Sequence, residues 1–290
     1  MKSNLKKQAP HLAASTGGAF KRPTPFLKWA GGKTQLLAAF DEHIPPKFNR
    51  YYEPFVGGGA MFYNMYARKD QLTAVLSDLN AELINCYISV RDDVEELIEV
   101  LKEHRNEREY FYEVRSLDAS KLSKTDRAAR LIYLNKTCFN GLYRVNSRGQ
   151  FNVPFGSYKN PRTCDETNLR AVSEALRNVT LKSETFADSL STAKRNDFVY
   201  LDPPYQPLSA TANFTSYTSK CFGEKDQEEL AEVVTQLDKR GCKFMLSNSD
   251  NDFVRDLYKN FRIETVLAAR AINCRGDKRG KITELLVMNY

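Results

Sequence analysis

The chain is poor in the residues that build metal centres and disulfide scaffolds. Its six cysteines (Cys86, Cys138, Cys164, Cys221, Cys242, Cys274) are scattered, and no two form a CxxC pair. The three histidines, His11, His43 and His104, are equally dispersed, so no metal is expected. Reduced thiols and a cytoplasmic location are the simple expectation. No apolar run approaches the roughly 18 residues of a membrane span. The start, Met1-Lys2-Ser3-Asn4-Leu5-Lys6-Lys7, is basic but leads into no apolar stretch, so secretion is not expected. A full GxGxxG fingerprint is missing, because Phe62 occupies the sixth position counted from Gly57. Gly31-Gly32-Lys33-Thr34 ends like a phosphate-binding P-loop, yet Leu27 stands where that loop needs an earlier glycine. Together these absences disfavour dinucleotide binding through a pyrophosphate, and nucleotide hydrolysis.

What remains is ample for a large core. The 290 residues are 42% apolar and 27% charged, with a formal net charge of +7. That surplus points to a polyanionic partner. Tyr51 to Val56 reads as a strand entering a glycine turn, with a helix from about Ala60. Leu72 to Leu76 is a second strand, closed by Ser77-Asp78. The order strand, glycine turn, helix, strand, acid predicts the first half of a doubly wound α/β, Rossmann-like sheet. Phe26 to Phe40 reads as an extended start followed by a helical run after Gly31-Gly32. Glu82 to about Val114 is strongly helical, and Asp126 to Thr137 is another amphipathic helix. Strand-like runs return at Val179-Leu181, Asp197-Leu201, Lys243-Ser247, Arg262-Val266 and Leu285-Met288, with a helix at Lys225 to Lys239 among them. One α/β core with a mainly helical insertion is the economical reading.

Two constellations carry chemistry. Asp202-Pro203-Pro204-Tyr205 follows an apolar strand, Asp197-Phe198-Val199-Tyr200-Leu201. Two prolines end any ladder and make a rigid corner, with a carboxylate before it and an aromatic ring after it. Such a corner suits a flat ring bearing an amine. The Asp202 carboxylate and Pro203 carbonyl accept the N–H groups, and the Tyr205 ring stacks on the face. The second is Glu53-Pro54-Phe55-Val56-Gly57-Gly58-Gly59-Ala60, whose glycines let a backbone approach a ligand. Asp78, roughly 20 residues further on, sits where an acid would take ribose hydroxyls. A nucleoside-type cofactor without a pyrophosphate fits both.

These motifs, together with Pro25-Phe26-Leu27-Lys28-Trp29-Ala30-Gly31-Gly32-Lys33, resemble the Dam family of DNA adenine-N6 methyltransferases, of the alpha group of amino-methyltransferases. The segments Phe139-Asn140-Gly141-Leu142-Tyr143-Arg144-Val145-Asn146 and Gly149-Gln150-Phe151-Asn152-Val153-Pro154-Phe155-Gly156 resemble the target-recognition element of its GATC-specific members. So does Pro207-Leu208-Ser209-Ala210-Thr211-Ala212-Asn213-Phe214-Thr215. The similarity runs from about Pro25 to Tyr290. The residues before it, 1–24, read as a flexible polar tail, and the resemblance implies a catalytic core over 25–85 and 165–290 and a target-recognition domain over 86–164.

The resemblance also implies roles. S-adenosylmethionine, with no metal, would be held by Trp29, Lys33, Phe55, Gly57, Gly59, Asp78 and Asp202. Asp202, Pro203 and Tyr205 would carry catalysis on an adenine flipped out of double-stranded DNA. Lys28, Phe139, Asn140, Leu142, Arg144 and Pro154 would contact DNA, with Phe139 as the wedge and Arg144 reading a guanine. Lys136, Arg148, Lys159, Arg162, Arg275, Lys278, Arg279 and Lys281 are candidates for backbone phosphates. The expected product is N6-methyladenine within GATC, made by a monomer. An RNA adenine or protein glutamine methyltransferase could use a similar corner, though neither needs a groove reader. A DNA-binding regulator without activity is the alternative from another class, and the intact corner argues against it.

Overall fold

The computed structural model describes residues 22–69, 71–204, 222–269 and 281–290. Tyr205, the 207–215 segment, Arg275, Lys278, Arg279 and most of the expected tail lie outside the described residues.

The strands are β1 (Tyr51–Glu53), β2 (Ala74–Ser77), β3 (Val179–Lys182), β4 (Phe198–Leu201), β5 (Lys243–Ser249), β6 (Arg262–Ala269) and β7 (Lys281–Met288). The helices are α1 (Leu37–Phe40), α2 (Ala60–Tyr66), α3 (Ala81–Asp92), α4 (Val94–Glu103), α5 (Arg108–Ser116), α6 (Lys124–Thr137), α7 (Glu166–Leu176), α8 (Phe186–Leu190), α9 (Glu224–Lys239) and α10 (Asp252–Leu257). All seven strands join one sheet in the order β3-β2-β1-β4-β5-β7-β6. The first five strands of that order pair in parallel, and β7 runs antiparallel to both β5 and β6. The expected Rossmann-like fold is therefore present.

Strand alternation sorts the sheet's side chains onto two covered faces. Tyr51, Leu76, Phe198, Tyr200 and Met245 join one apolar cluster, with α2, α3 and α7 over it. Tyr52, Val75, Val199, Leu201 and Leu246 join a second, covered by Leu190 of α8, Leu230 of α9 and Val254 of α10. The first cluster does not stop at the sheet. It continues through Leu97 and Ile98 of α4, Phe111 of α5, and Leu131 and Ile132 of α6. The helical segment between β2 and β3 thus shares the core's apolar interior. The boundary expected between residues 85 and 86 falls inside α3, whose Asn80 N-cap accepts from Glu82 N and Leu83 N.

Two helical expectations are corrected. The run after Gly32 is helical only over Leu37–Phe40, plus a single tight turn at Asp41–His43. It ends where Pro45 and Pro46 cannot continue a helix. The run from Glu82 to Val114 is three helices, because Asp93 leaves helical geometry at φ −129° and ψ 36°. His104 breaks it again at φ −73° and ψ 135°.

The strand order reverses between β1 and β4, the place where an open α/β sheet leaves a crevice at its carboxyl ends. Glu53, Ser77 and Leu201 end their strands there, so the glycine turn, Asp78 and the Asp202 corner converge on one rim.

Candidate active site

Backbone hydrogen bonds build the rim. Val56 N donates to Ser77 O at 3.0 Å, fastening the glycine turn to the end of β2. Gly57 N donates to Asp78 Oδ2 at 3.2 Å, and Asn80 N to Asp78 Oδ1 at 2.9 Å. Burial pushes the Asp78 carboxyl up to about 6 despite these donors. Each of its oxygens keeps acceptor capacity, and the residue is only half-buried, so it can take further O–H donors.

The glycines answer to the protein's own packing. Gly59 sits at φ +72°, and a Cβ there would stand 2.6 Å from the Tyr87 hydroxyl oxygen. Gly57 sits at φ +46°, and a Cβ there would meet Trp29 Cδ1 at 2.8 Å. Trp29 is therefore pressed on the turn, and its ring also stacks on Tyr143 at 5.2 Å with the rings 26° apart. Phe55 leaves the turn to meet Phe186 at 5.5 Å and Phe222 at 5.9 Å, an aromatic wall.

Across the rim, Lys33 is buried and its Nζ lies 2.8 Å from Asp202 Oδ1. It also donates to Gly31 O at 3.2 Å and stands 4.0 Å from Glu284 Oε2. Asp202 is pushed up to about 6, chiefly by burial, with Lys33 pulling down and Glu284 pushing up. One ammonium faces two carboxylates there in a largely dry site, which keeps Asp202 above the ordinary carboxylate range. Pro203, next in the corner, is buried.

Glu284 was not legible in the sequence. It becomes part of the site only because β7 runs back along β5, setting Glu284 opposite Ser249. Ser247 Oγ then donates to Glu284 Oε2 at 3.2 Å. The signal, in retrospect, is a lone acid just before the fully buried run Leu285-Leu286-Val287-Met288.

The expected DNA-contacting residues form a second patch. Phe139 N donates to Pro154 O at 2.9 Å, placing those two residues side by side. Phe139 is 53% exposed, unusual for so large an apolar ring and apt for a wedge. Asn140 is exposed in a left-handed conformation at φ 55°. Arg144 and Asn152 lie across a small hairpin, where Arg144 Nε donates to Asn152 Oδ1 at 2.7 Å and Nη2 to its carbonyl at 3.2 Å. That grip leaves the Nη1–Nη2 edge of the guanidinium as the pair of donors Asn152 does not use. Lys28 Nζ lies over the Tyr158 ring at 4.3 Å. Leu142 is half-buried in the same segment.

The phosphate candidates divide. Arg148 and Lys159 are exposed, whereas Arg162 already pairs with Asp165 at 3.0 Å. Lys136 is half-buried, and burial with nearby Lys28 pushes it down to about 8. Among the described residues, no group of three His, Cys, Asp or Glu side chains is placed to hold a metal ion.

The donor set suits S-adenosylmethionine. Asp78 offers acceptors for hydroxyls, Lys33 offers a cation to a carboxylate, and Asp202 offers negative charge to a sulfonium or an amine.

Comparison with known proteins agrees with this geometry. The family described as D12 class N6 adenine-specific DNA methyltransferase matches residues 29–272. Type II methyltransferase M1.LlaDCHI of Lactococcus lactis subsp. cremoris is 46% identical over 274 residues, covering 92% of this chain and 95% of that protein. Type II methyltransferase M.MjaIII of Methanocaldococcus jannaschii is 46% identical over 285 residues, covering 92% and 99%. The DNA adenine methylase of Escherichia coli K12 is 38% identical over 272 residues, covering 92% and 96%. With the matched stretch spanning both the strand-end rim and the helices between β2 and β3, this chain belongs to the D12 class of N6 adenine-specific DNA methyltransferases.

Proposed function

We propose that the enzyme methylates adenine in duplex DNA within GATC, after flipping the base into the crevice beside β4. The observation carrying this reading is the Lys33–Asp202 pair at the carboxyl end of β4, 2.8 Å long and largely shielded from water. When bound, S-adenosylmethionine supplies a methyl group on a positively charged sulfur together with its own leaving group. The protein's task is then positioning and charge complementarity. Asp202 accepts an N–H of the adenine amine and draws its lone pair out of conjugation. Lys33 fixes the orientation of that carboxylate, and Glu284 steadies Lys33. Asp78 takes hydroxyls at the far end of the crevice, while Trp29 and Phe55 wall it. Pro203 and Tyr205 complete the corner, the second by stacking.

Residues 86–164 serve as the target-recognition domain. Phe139 wedges into the stack vacated by the base, with Asn140 beside it. Extrusion costs a few kcal/mol, and stacking in the pocket returns about 1–3 kcal/mol of it. Arg144 presents its free edge to guanine O6 and N7, and Leu142 and Pro154 lie against a thymine methyl. Lys28 contributes to the outer base pair.

The test is transfer of labelled methyl to short duplexes carrying GATC or one altered base pair. Label confined to GATC and recovered as N6-methyladenine is expected, and label spread over all duplexes would sink the specificity. Arg144→Ala should lower discrimination at one position by about 1–3 kcal/mol while leaving the chemistry intact. Unchanged discrimination would remove Arg144 from base reading.

A further inference from the structure

Asn135 is one of several polar residues buried along α6, and one of the two buried completely. Its neighbours Leu131, Ile132 and Leu134 are buried apolar side chains, and Asn135 is buried just as completely, at 0% exposure. A polar side chain in such a place is costly unless every hydrogen-bonding group is used. Here they are. Lys28 N donates to Asn135 Oδ1 at 2.8 Å, while Asn135 Nδ2 donates to Lys28 O at 2.8 Å and to Gly141 O at 3.0 Å. One amide thus grips both backbone groups of Lys28 and one of Gly141, 113 positions further along the chain.

Two further contacts close the same joint. Gly141 is left-handed at φ +63°, and a Cβ there would meet Lys28 Cβ at 2.8 Å. Trp29, the next residue after Lys28, stacks on Tyr143, two residues beyond Gly141. The residues flanking this joint are the expected readers: Lys28 on one side, Phe139, Asn140, Leu142 and Arg144 on the other. A shift of Lys28 relative to Gly141 would therefore misalign two arms that grip one short stretch of duplex.

We propose that Asn135 is a positioning residue for sequence discrimination, holding the Lys28 arm and the Phe139–Arg144 arm at a fixed spacing, with the Trp29–Tyr143 stack as a second brace. Asn135 touches neither DNA nor cofactor; it acts through the backbone of residues that do. The inference rests on the reading of Lys28 and Arg144 as DNA contacts.

The experiment compares kcat/KM for a GATC duplex with that for duplexes altered at one outer or one inner base pair. The proteins are the parent chain, Asn135→Ala and Tyr143→Leu. A ratio of two kcat/KM values on one preparation does not depend on how much of it is folded. A merely structural role would lower yield and melting temperature and leave the ratio unmoved. The expected result is a discrimination ratio reduced roughly tenfold in each variant, the scale of one lost base contact. The inference is overturned if either variant retains the parent's ratio. A parent chain that methylates all duplexes alike would overturn the GATC reading and this inference with it. A discriminating parent with unaltered variants would overturn the inference alone.

Discussion

A carboxylate accepts an N–H from an amine most strongly while it is ionised, because protonation leaves it one weaker acceptor and adds a donor. Asp202 is pushed up to about 6, so protonation reaches it in a range ordinary carboxylates escape. The sign follows directly: the competent form is full above about 6 and is lost as pH falls through it. kcat/KM for S-adenosylmethionine, which reports the free enzyme, should fall about tenfold per pH unit below that point and level off above it. Asp202→Asn should be inactive throughout. A parental kcat/KM flat from pH 5 to 8 would show that Asp202 is already ionised there in the free enzyme or takes no part in the reaction. Glu53 presents the opposite case. It is buried at 3% exposure, accepts from the Tyr51 hydroxyl at 2.7 Å, and burial pushes it up to about 8. Its folded value exceeds the unfolded 4.5, so the stability it supports is complete below 4.5 and drains away as pH rises through about 8. Glu53→Gln keeps an acceptor for Tyr51 and does not titrate. Urea unfolding should show the variant gaining on its parent between pH 5 and pH 8, by at most about 1.4 kcal/mol per unit. No gain would mean that Glu53 is already ionised in the folded protein.

The turn between β1 and α2 is the element on which the rim depends. Gly59 N donates to Val56 O at 2.7 Å, and Tyr87 O–H donates to Gly57 O at 3.0 Å. Tyr87 is fully buried and cannot retreat from a new methyl group. Gly59→Ala adds left-handed strain, roughly 1–3 kcal/mol, to that collision. A loss of stability at or above that range is expected in thermal or urea unfolding, together with weaker cofactor binding; a variant as stable as its parent would refute the account of this turn. The position of the turn was legible, because a strand, three glycines and a helix follow one another. The partner that enforces Gly59 was not, since Tyr87 belongs to α3 and reaches it only after packing. Asn135 escaped for a related reason: within a helical pattern a lone Asn reads as a solvent-facing residue. The helix expected from just after Gly32 to Phe40 ends where expected but begins only at Leu37, because residues 33–36 form turns instead.

At the scale of the whole molecule, a net charge of +7 suits a chain whose family acts on DNA. Arg148 is exposed on the hairpin and Lys159 is exposed just after it in the chain, and Lys28 lies close enough to Lys136 to help push that lysine down. Each phosphate neutralised contributes a slope of about −0.9 to log K against log salt. Arg148→Ala and Lys159→Ala should each flatten the slope by about that amount in duplex-binding titrations. An unchanged slope in either would take that residue off the DNA. The sheet itself was readable strand by strand, because runs such as Phe198-Val199-Tyr200-Leu201 are buried on both faces. Strand order was not, because hydrophobic patterning says nothing about which neighbour a strand selects. Lys33 and Asp202 were expected to share a site, but Glu284 inherits that blindness, since only the β5–β7 pairing brings it to them.

The apolar interior shared between the sheet and α4–α6 bears on how such enzymes acquire new target sequences. A helical block that owned a private core could be exchanged as a cassette. Here Leu97, Phe111 and Ile132 are contiguous with Leu76 and Phe198, so transplanting the block would leave mismatched halves of one interior. The small hairpin offers a narrower graft. Its attachment is Cys138 facing Phe155, and its tip, Ser147 to Gln150, is exposed. With the hairpin reading DNA as proposed, new specificity in this scaffold should be reached by rewriting the hairpin's outward residues while leaving Gly141, Tyr143 and the helix beneath them untouched.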